Sequence, residues 1–393
     1  MLRSIPAIRK IISLSVCHVF ILVLVGAVGV QAAPIRIGMS LGLTGKYAVM
    51  AKMQENAFRL WETAVNRQGG LLGRNVQLII HDDQSNAQKA REIYRHMIAK
   101  EKMDLLFPPY SSGLTAAILP ITEAAGYPML IHGAAADSIW QQGYRYAFGV
   151  LPPASRYTLG FLEMLLTNGF AKVAVIAADD PFSETIARGA HQWIDRLGIE
   201  IVLRRTIGKG SRDFDALARQ VQASHAEALV MCGHYNEAIE MRQGLIDIHW
   251  YPRAYWASVG PVFQSYYDHF GKAAENTFSS TQWTYYDKLP FPGSKAFHDK
   301  FVAACGVEPS YHAASAYTAG DLLATAVREA GNVDREKIRD ILASLDTMTL
   351  LGRYGVDRTG RQIRFFHLTT QWIDGRKEVV WPKELSTAAP RFP

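Results

Sequence analysis

The feature that most constrains this chain is a repeated alternation of short apolar runs with longer segments of helical periodicity. Short apolar runs predict buried strands, and apolar residues at a spacing of 3.6 predict helices. Strands that alternate with helices form parallel sheets covered on both faces. The predicted fold class is therefore α/β, with two doubly wound parallel-sheet lobes and a ligand cleft between them. The predicted strands are residues 35–40, 76–81, 105–107, 128–132, 172–177, 199–205, 228–232, 255–257 and 277–283.

The end of the chain departs from this alternation. Residues 364–373 and 378–381 are apolar runs on either side of Asp374-Gly375, a dipeptide typical of tight hairpin turns. We therefore expect an antiparallel hairpin to close the second lobe. No low-complexity linker separates the two halves of the chain, which indicates lobes coupled by several crossing segments.

The first 32 residues are predicted to form a cleavable signal peptide. Arg3, Arg9 and Lys10 precede a long apolar stretch, and Val30 and Ala32 supply small residues before a cleavage site after Ala32. An uncleaved membrane anchor is the alternative, because the stretch is long enough to span a bilayer. Cleavage predicts a periplasmic protein of about 360 residues, more than one hydrophobic core usually serves, which indicates two domains.

Composition argues against several kinds of partner. The formal net charge is +6, and it falls to +3 without the leader, which carries three basic and no acidic residues. No cluster of lysine and arginine is interleaved with aromatic residues, so nucleic acid is not expected as a partner. Cys232 and Cys305 are expected to be buried free thiols that behave as small hydrophobes, and a disulfide between them is the alternative.

Ser111 and Ser112 are the strongest candidates for ligand binding. They follow the predicted strand 105–107 and precede a helical pattern over 114–125, so they lie at the carboxyl end of a strand and the amino end of a helix. Free backbone N–H groups and the helix dipole favour an anion there, and ligands of open α/β sheets bind at this edge. The alternative is that the serines only cap the helix.

Other loops at strand ends supply further candidates. Hydrogen-bonding groups mixed with aromatic walls are what a cleft for a small organic anion needs. Core packing is the alternative for each aromatic residue. The candidates from the first lobe are Tyr47, Ser111, Ser112, Ala134, Ala135 and Ala136, those from the second are Phe182, His234, Tyr235 and Trp256, and Trp283 lies near a predicted crossing segment.

Three motifs suggest other chemistry and fail on their context. Residues 38–42 match G-x-S-x-G, the nucleophile motif of α/β-hydrolases, but the helix that must follow Ser40 directly begins only near residue 47. Gly45-Lys46 lacks the earlier glycine of a Walker loop. The acidic pair after His81 shares its strand, where adjacent side chains point to opposite faces. No metal, cofactor or catalytic residue is predicted, and an exported hydrolase using Ser40 is the weaker alternative.

Several short segments run in a characteristic order through nearly the whole chain. They are residues 35–38, Leu43-Thr44-Gly45, residues 66–74, Asp82-Asp83, Ser111-Ser112, Ala134-Ala135-Ala136, residues 233–237 and residues 351–360. In this order they resemble the leucine/isoleucine/valine-binding family, which are periplasmic substrate-binding proteins of ABC importers. The resemblance implies the type I periplasmic binding fold, a small-molecule ligand, ABC permease transmembrane subunits as partners, a monomer and no enzymatic activity. It also implies lobes of residues 33–153 plus 281–358 and of residues 154–280 plus 359–393.

The resemblance also assigns residues. In relatives that bind amino acids, the positions of Ser111, Ala134 and Ala136 hold the ligand carboxylate, although the hydroxyl usual at the third of these is missing here. Phe182 matches a tyrosine of the second lobe. The acid that receives the ligand ammonium falls at Val259, with Asp179 or Asp180 as substitutes. A buried ammonium without an acidic partner binds poorly. An amine-free, aromatic organic acid is therefore slightly preferred over an amino acid, and a sensory module for a membrane receptor is the alternative to transport.

Overall fold

The structure is a computed structural model that describes residues 32–208, 213–287, 289–364 and 367–393. Except for Ala32, the predicted signal peptide lies outside the described residues. The strands are β1 (Ile35–Leu41), β2 (Val76–Asp82), β3 (Leu105–Leu106), β4 (Met129–Ile131), β5 (Ala147–Gly149), β6 (Lys172–Ala178), β7 (Glu200–Ile207), β8 (Ala228–Cys232), β9 (Ala254–Ala257), β10 (Thr277–Thr281), β11 (Thr347–Thr349), β12 (Gly352–Tyr354), β13 (Leu368–Ile373) and β14 (Arg376–Trp381).

The helices alternate with these strands over most of the chain. None of those in the described residues is long and apolar enough to cross a membrane. They are α1 (Ala48–Arg67), α2 (Ala87–His96), α3 (Ser112–Ala124), α4 (Leu159–Thr167), α5 (Pro181–Leu197), α6 (Phe214–Ala223), α7 (Tyr235–Asp247), α8 (Gln264–Phe270), α9 (Ser294–Cys305), α10 (Tyr311–Ala330) and α11 (Arg335–Ser344).

The first lobe is built on a parallel sheet of order β2-β1-β3, and β4 and β5 form a separate parallel pair. Strand β1 lies at the centre of its sheet, and all of its residues except Arg36 are buried. Helix α1 buries Phe58 and Trp61. Gly320 of α10 permits this packing, because a Cβ at that position would lie 2.5 Å from the Trp61 ring.

The second lobe is built on a seven-stranded sheet of order β14-β13-β10-β9-β8-β6-β7 within the described residues. Strands β6 to β10 run parallel to one another. Strand β13 runs antiparallel to β10, and β14 runs antiparallel to β13. Every residue of β8 is buried, as expected for a central strand covered by helices on both faces.

The chain passes between the lobes after β5, after β10 and after β12. Helices α9 and α10 pack against α1 of the first lobe, although β10 before them and β13 after them belong to the sheet of the second lobe. The predicted lobe boundaries at residues 153, 280 and 358 fall at or next to these passages, and they stay a prediction.

Most predicted elements are confirmed, including the hairpin over Asp374-Gly375. Strand β5 was not predicted, because it contributes only three residues to a two-stranded pair. Helix α2 ends at His96, and the chain continues as a π-helical turn over Met97–Glu101. Cys232 is buried, as expected, whereas Cys305 is only half-buried. Both are free thiols.

Candidate ligand-binding site

Ser111 occupies an unusual backbone position between β3 and α3. Its φ is +86°, a value that residues with a side chain rarely adopt and that is retained mainly where a loop has a function. The Ser111 N–H donates to the Gly133 carbonyl at 3.0 Å, which joins the loop after β3 to the loop after β4. The Ser111 hydroxyl accepts from the Leu114 N–H at 3.3 Å. Ser111 therefore caps α3, and its hydroxyl also makes a hydrogen bond with the Tyr47 side chain.

Ser112 has a different role. Its Oγ accepts from the N–H of Ala135 at 3.2 Å and from the N–H of Ala136 at 3.1 Å. These two amides are therefore engaged within the protein. The N–H groups of Ser112 and Gly113 begin α3 and have no partner within the helix, which makes this end of the helix receptive to an anion.

The second lobe contributes an aspartate and a histidine whose side chains are in contact. The Asp180 carboxylate caps α5 by accepting from the Phe182 and Ser183 N–H groups at 3.0 and 3.2 Å, and its Oδ1 lies 3.4 Å from His234 Nε2. Burial alone would raise the pKa of Asp180. The charge and hydrogen bond of His234, together with the capping bonds, outweigh burial and hold that pKa well below the usual range.

Tyr110 joins this pair to the first lobe. Its hydroxyl lies 3.1 Å from His234 Nδ1, so the histidine is held between a tyrosine of one lobe and a carboxylate of the other. Tyr47 packs edge-on against both rings, at 5.3 Å from Tyr110 and 5.0 Å from His234 between ring centroids.

A small cavity lies where these groups meet. Its volume is about 10 Å³, room for roughly one water molecule. A ligand with several heavy atoms therefore requires the two lobes to separate. The lining residues are Tyr110, Ser111, Ser112, Gly133, Ala134, Ala135, Leu151, Tyr157, Phe182, His234, Tyr311 and His312.

His312 lines this cavity from the amino-terminal end of α10. The side chain is buried, its ring stacks on Phe263 of the second lobe at 5.1 Å, and its Nε2 atom has no hydrogen-bond partner in the described residues. Burial, and then the neighbouring His234 and His132, lower the pKa of His312 well below the usual value. The imidazole is therefore neutral, and it offers a polar atom to a ligand without adding charge.

The predicted site residues separate into two groups. Ser111, Ser112, Ala134, Ala135, Phe182 and His234 line the cavity, Tyr47 packs beside it, and Ala136 is buried just behind it. The other four predicted residues lie away from the cavity: Tyr235 contacts Phe263 and Ser265, Trp256 contacts Phe161 and Ser280, Trp283 contacts Phe297 and Ser294, and Val259 is buried in the core. A ligand-binding role for these residues stays a prediction.

Sequence reasoning missed four aromatic residues that line the cavity. Tyr110 directly precedes the serine pair, so the rule that selected Ser111 applies to it as well. Tyr157 lies in the passage after β5, and Tyr311 and His312 begin α10. None of these three follows a strand, and a search of strand ends therefore does not find them.

Ser40 lacks the exposure that a hydrolase nucleophile needs. The residue is fully buried on β1, and its hydroxyl donates to Asp83 Oδ2 at 2.7 Å. The match to G-x-S-x-G is therefore a short strand followed by a loop, as its context indicates. The described residues also contain no group of three or more side chains that could hold a metal ion.

The burial of Asp83 predicts a pH dependence of stability. Burial raises the pKa of Asp83 from 3.8 to about 6, although the Ser40 hydroxyl and the Ser85 N–H partly oppose it. Since the folded pKa is the higher one, this contribution to stability is complete below pH 3.8 and is lost as the pH rises through about 6. The free energy of unfolding of the wild type should fall by up to about 3 kcal/mol over this pH range. Asp83→Asn cannot ionise and should not show this fall. Urea unfolding at several pH values measures it.

The adjacent Asp82 is the matched control for this experiment. Burial would raise the pKa of Asp82, but hydrogen bonds from Thr44 and from the N–H groups of Gln84 and Leu43 lower it. Its contribution to stability is therefore present above pH 3.8 and lost in acid. Asp82→Asn should reduce stability at neutral pH. A variant Asp83→Asn with the pH profile of the wild type would contradict the prediction.

Sequence comparison identifies the family. The family model for periplasmic binding proteins matches residues 34–374. The chain belongs to the periplasmic binding protein family. This periplasmic binding protein is 22% identical over 380 residues to Leu/Ile/Val-binding protein homolog 7 of Brucella suis biovar 1 (strain 1330), with 92% of this chain and 95% of the relative covered. The family consists of substrate-binding proteins of ABC transporters, so the prediction that the chain is not an enzyme is confirmed.

Solved structures share the fold. The branched-chain amino acid transporter substrate-binding protein LivJ of Streptococcus pneumoniae, in complex with isoleucine, has a TM-score of 0.79 at 22% identity and covers 88% of this chain and 97% of its own. A solute-binding protein of R. palustris in complex with benzoate has a TM-score of 0.78 at 17% identity, with 91% and 97% covered. The predicted two-lobed α/β fold and the family resemblance are confirmed by these matches.

Proposed function

We propose that this periplasmic binding protein captures a small carboxylate between its lobes and delivers it to the permease subunits of an ABC importer. The preferred ligand is an organic acid without an amine, of aromatic character. The site makes and breaks no bond. One observation carries the ligand class: Asp180, the acid that contacts the cavity residue His234, is already engaged by that histidine and by the start of α5.

The first lobe supports the carboxylate end of the proposal. Ser111 and Ser112, the cap and the first residue of α3, both line the cavity, and the first N–H groups of a helix have no partner within it. Hydrogen bonds to a charged acceptor contribute about 1.5–3 kcal/mol each. No lysine or arginine lines the cavity within the described residues, so backbone amides and hydroxyls would carry the anion.

The second lobe supports the absence of an amine. An ammonium taken out of water needs an acidic partner, since an unpaired buried charge costs several kcal/mol. The position that the family resemblance assigns to that acid is Val259, which is buried among apolar residues. Asp180 has its own partners, and Asp179 is exposed. One structural neighbour is a complex with isoleucine and another is a complex with benzoate, so the fold alone leaves the ligand class open.

Contacts between the two lobes support closure around the ligand as part of the proposal. Tyr110 meets His234, and His312 stacks on Phe263, each across the cleft. These contacts must separate to admit a ligand, and the two lobes can then close on the ligand itself. The ligand would then shift an open–closed equilibrium by its tighter binding to the closed form, and the permease would read that form. A monomer stays the prediction for the oligomeric state.

A thermal-shift panel tests the proposal. Mature protein, refolded to remove carried-over ligand, is compared with pairs that differ only by an amine: 3-phenylpropionate with phenylalanine, and 4-methylpentanoate with leucine, together with benzoate. A ligand at 100 times Kd stabilises the folded protein by about 2.7 kcal/mol. We expect amine-free acids to raise the melting temperature more than their amino-acid partners. A shift with amino acids alone would overturn the ligand class.

Ser111→Ala tests the carboxylate contact in the same panel. The variant is expected to weaken binding by about tenfold to a hundredfold, the loss of one hydrogen bond to a charged group. Ser344→Ala, on the exposed end of α11, is the matched control and should bind like the wild type. Each shift is referred to the unliganded melting temperature of the same variant, because Ser111 also caps α3. Unchanged affinity in Ser111→Ala would remove the serine from the site.

A further inference from the structure

Lys46 is exposed and lies beside the Tyr47 ring, which packs against the cavity residues Tyr110 and His234. It ends the loop after β1 and directly precedes Tyr47, and its Nζ lies 4.7 Å from the centroid of the Tyr47 ring. The same ring touches the His234 imidazole of the second lobe. The Lys46 ammonium therefore contacts a first-lobe aromatic ring that packs on His234 of the second lobe.

Two acids of the second lobe contact His234. Asp180 lies against His234 Nε2, and the Glu237 carboxylate accepts from the His234 N–H at 3.0 Å. Burial alone would lower the pKa of Lys46. Contact with Tyr47 and the charges of Asp180 and Glu237 outweigh burial and raise that pKa. The ammonium is thus attracted by both acids across the cleft.

We propose that Lys46 determines specificity by supplying, from the protein itself, the cation that an amino acid would bring as its ammonium. This inference rests on the proposed function and names the residue that enforces its ligand class. With Lys46 present, the acids near His234 already have a cation, and a ligand ammonium would meet a like charge. Such repulsion rejects the wrong ligand without weakening the right one.

The proposal explains two features together. Asp180 and Glu237 place two carboxylates beside His234, although the family position for the ammonium partner is the aliphatic Val259. Lys46 adds a positive charge to the contacts that already engage these acids, which favours a ligand that carries only a carboxylate. An aromatic ring on the ligand fits the same region, where Tyr47, Tyr110 and Phe182 present their faces and edges.

Lys46→Met tests the proposal through a ratio of affinities. Dissociation constants of 3-phenylpropionate and phenylalanine are measured by calorimetry for the wild type and the variant. In the wild type the amine-free acid should bind more tightly. Methionine keeps the length of the chain and removes the charge, so we expect the preference to narrow by about tenfold or more through tighter binding of phenylalanine. Lys46→Arg, which keeps the charge, should retain the preference.

Lys52→Met is the matched control. Lys52 lies on α1, its side chain is 65% exposed, and it pairs with Glu55 rather than with the second lobe. Its ratio should equal that of the wild type. A wild type that prefers the amine-free acid, with the same ratio in Lys46→Met, would overturn the role of Lys46 and leave the proposed function standing. Equal weakening of both ligands by Lys46→Met would also overturn it. Absence of any bound carboxylate would overturn the proposed function and this inference with it.

Discussion

Replacing Asp180 with alanine is expected to lower the free energy of unfolding by about 2–4 kcal/mol, because the change removes the carboxylate that lies 3.4 Å from His234 Nε2, and a hydrogen bond to a charged group contributes about 1.5–3 kcal/mol. The variant also loses the cap of α5, since Asp180 accepts from the Phe182 N–H and from both the N–H and the hydroxyl of Ser183. Chemical denaturation at neutral pH measures the loss.

Asp179→Ala is the natural control for this experiment. Asp179 is adjacent in sequence and exposed, so the change should alter stability by no more than about 0.5 kcal/mol. The pKa of Asp180 is held below its usual range, which means that its stabilisation is present above the unfolded value of 3.8 and is lost as the pH falls through the folded value. The penalty of Asp180→Ala should therefore shrink in acid. Equal losses in the two alanine variants would contradict the assignment.

Ser112→Ala is expected to cost about 2–4 kcal/mol of stability. The Ser112 hydroxyl accepts hydrogen bonds from the N–H groups of Ala135 and Ala136, and all three residues are buried. Each buried donor left without a partner costs about 1–3 kcal/mol. Ser111→Ala removes one helix cap and should cost only about 1 kcal/mol.

The two serines are thereby distinguished. Ser112→Ala should lower stability more than Ser111→Ala, and Ser111→Ala should lower ligand affinity at nearly normal stability. Urea midpoints of both variants, measured beside their dissociation constants for 3-phenylpropionate, separate the two effects. A larger loss of stability in Ser111→Ala would reverse the roles assigned to the pair.

The parts of the fold that could be predicted are those with a local cause. Period in the apolar pattern determines whether a segment is a helix or a strand, and a parallel sheet brings the carboxyl ends of its strands to one edge. That rule places Ser111 and Ser112 at the edge of one sheet and Phe182 and His234 at the edge of the other, and these two edges meet at the cavity. Asp180 follows β6 and caps α5.

The parts that could not be predicted depend on long-range packing. His312 begins a helix that is remote in sequence from every other residue of the cavity except Tyr311, and only the passage of the chain back to the first lobe brings it there. Trp256 follows the same strand-end rule as His234, yet its indole packs on Phe161 in the core. Whether a side chain at a strand end turns toward a cleft or into the interior depends on neighbours that the local sequence does not reveal.

The position of β13 has a consequence for how the protein comes into being. This strand lies between β10 and β14 in the seven-stranded sheet, although about ninety residues of chain separate β10 from β13. Until β13 has emerged from the ribosome, β10 presents an unpaired edge and the second lobe is incomplete. An unpaired strand edge is a template for pairing with other chains, so the second lobe is open to misassembly until β13 is in place.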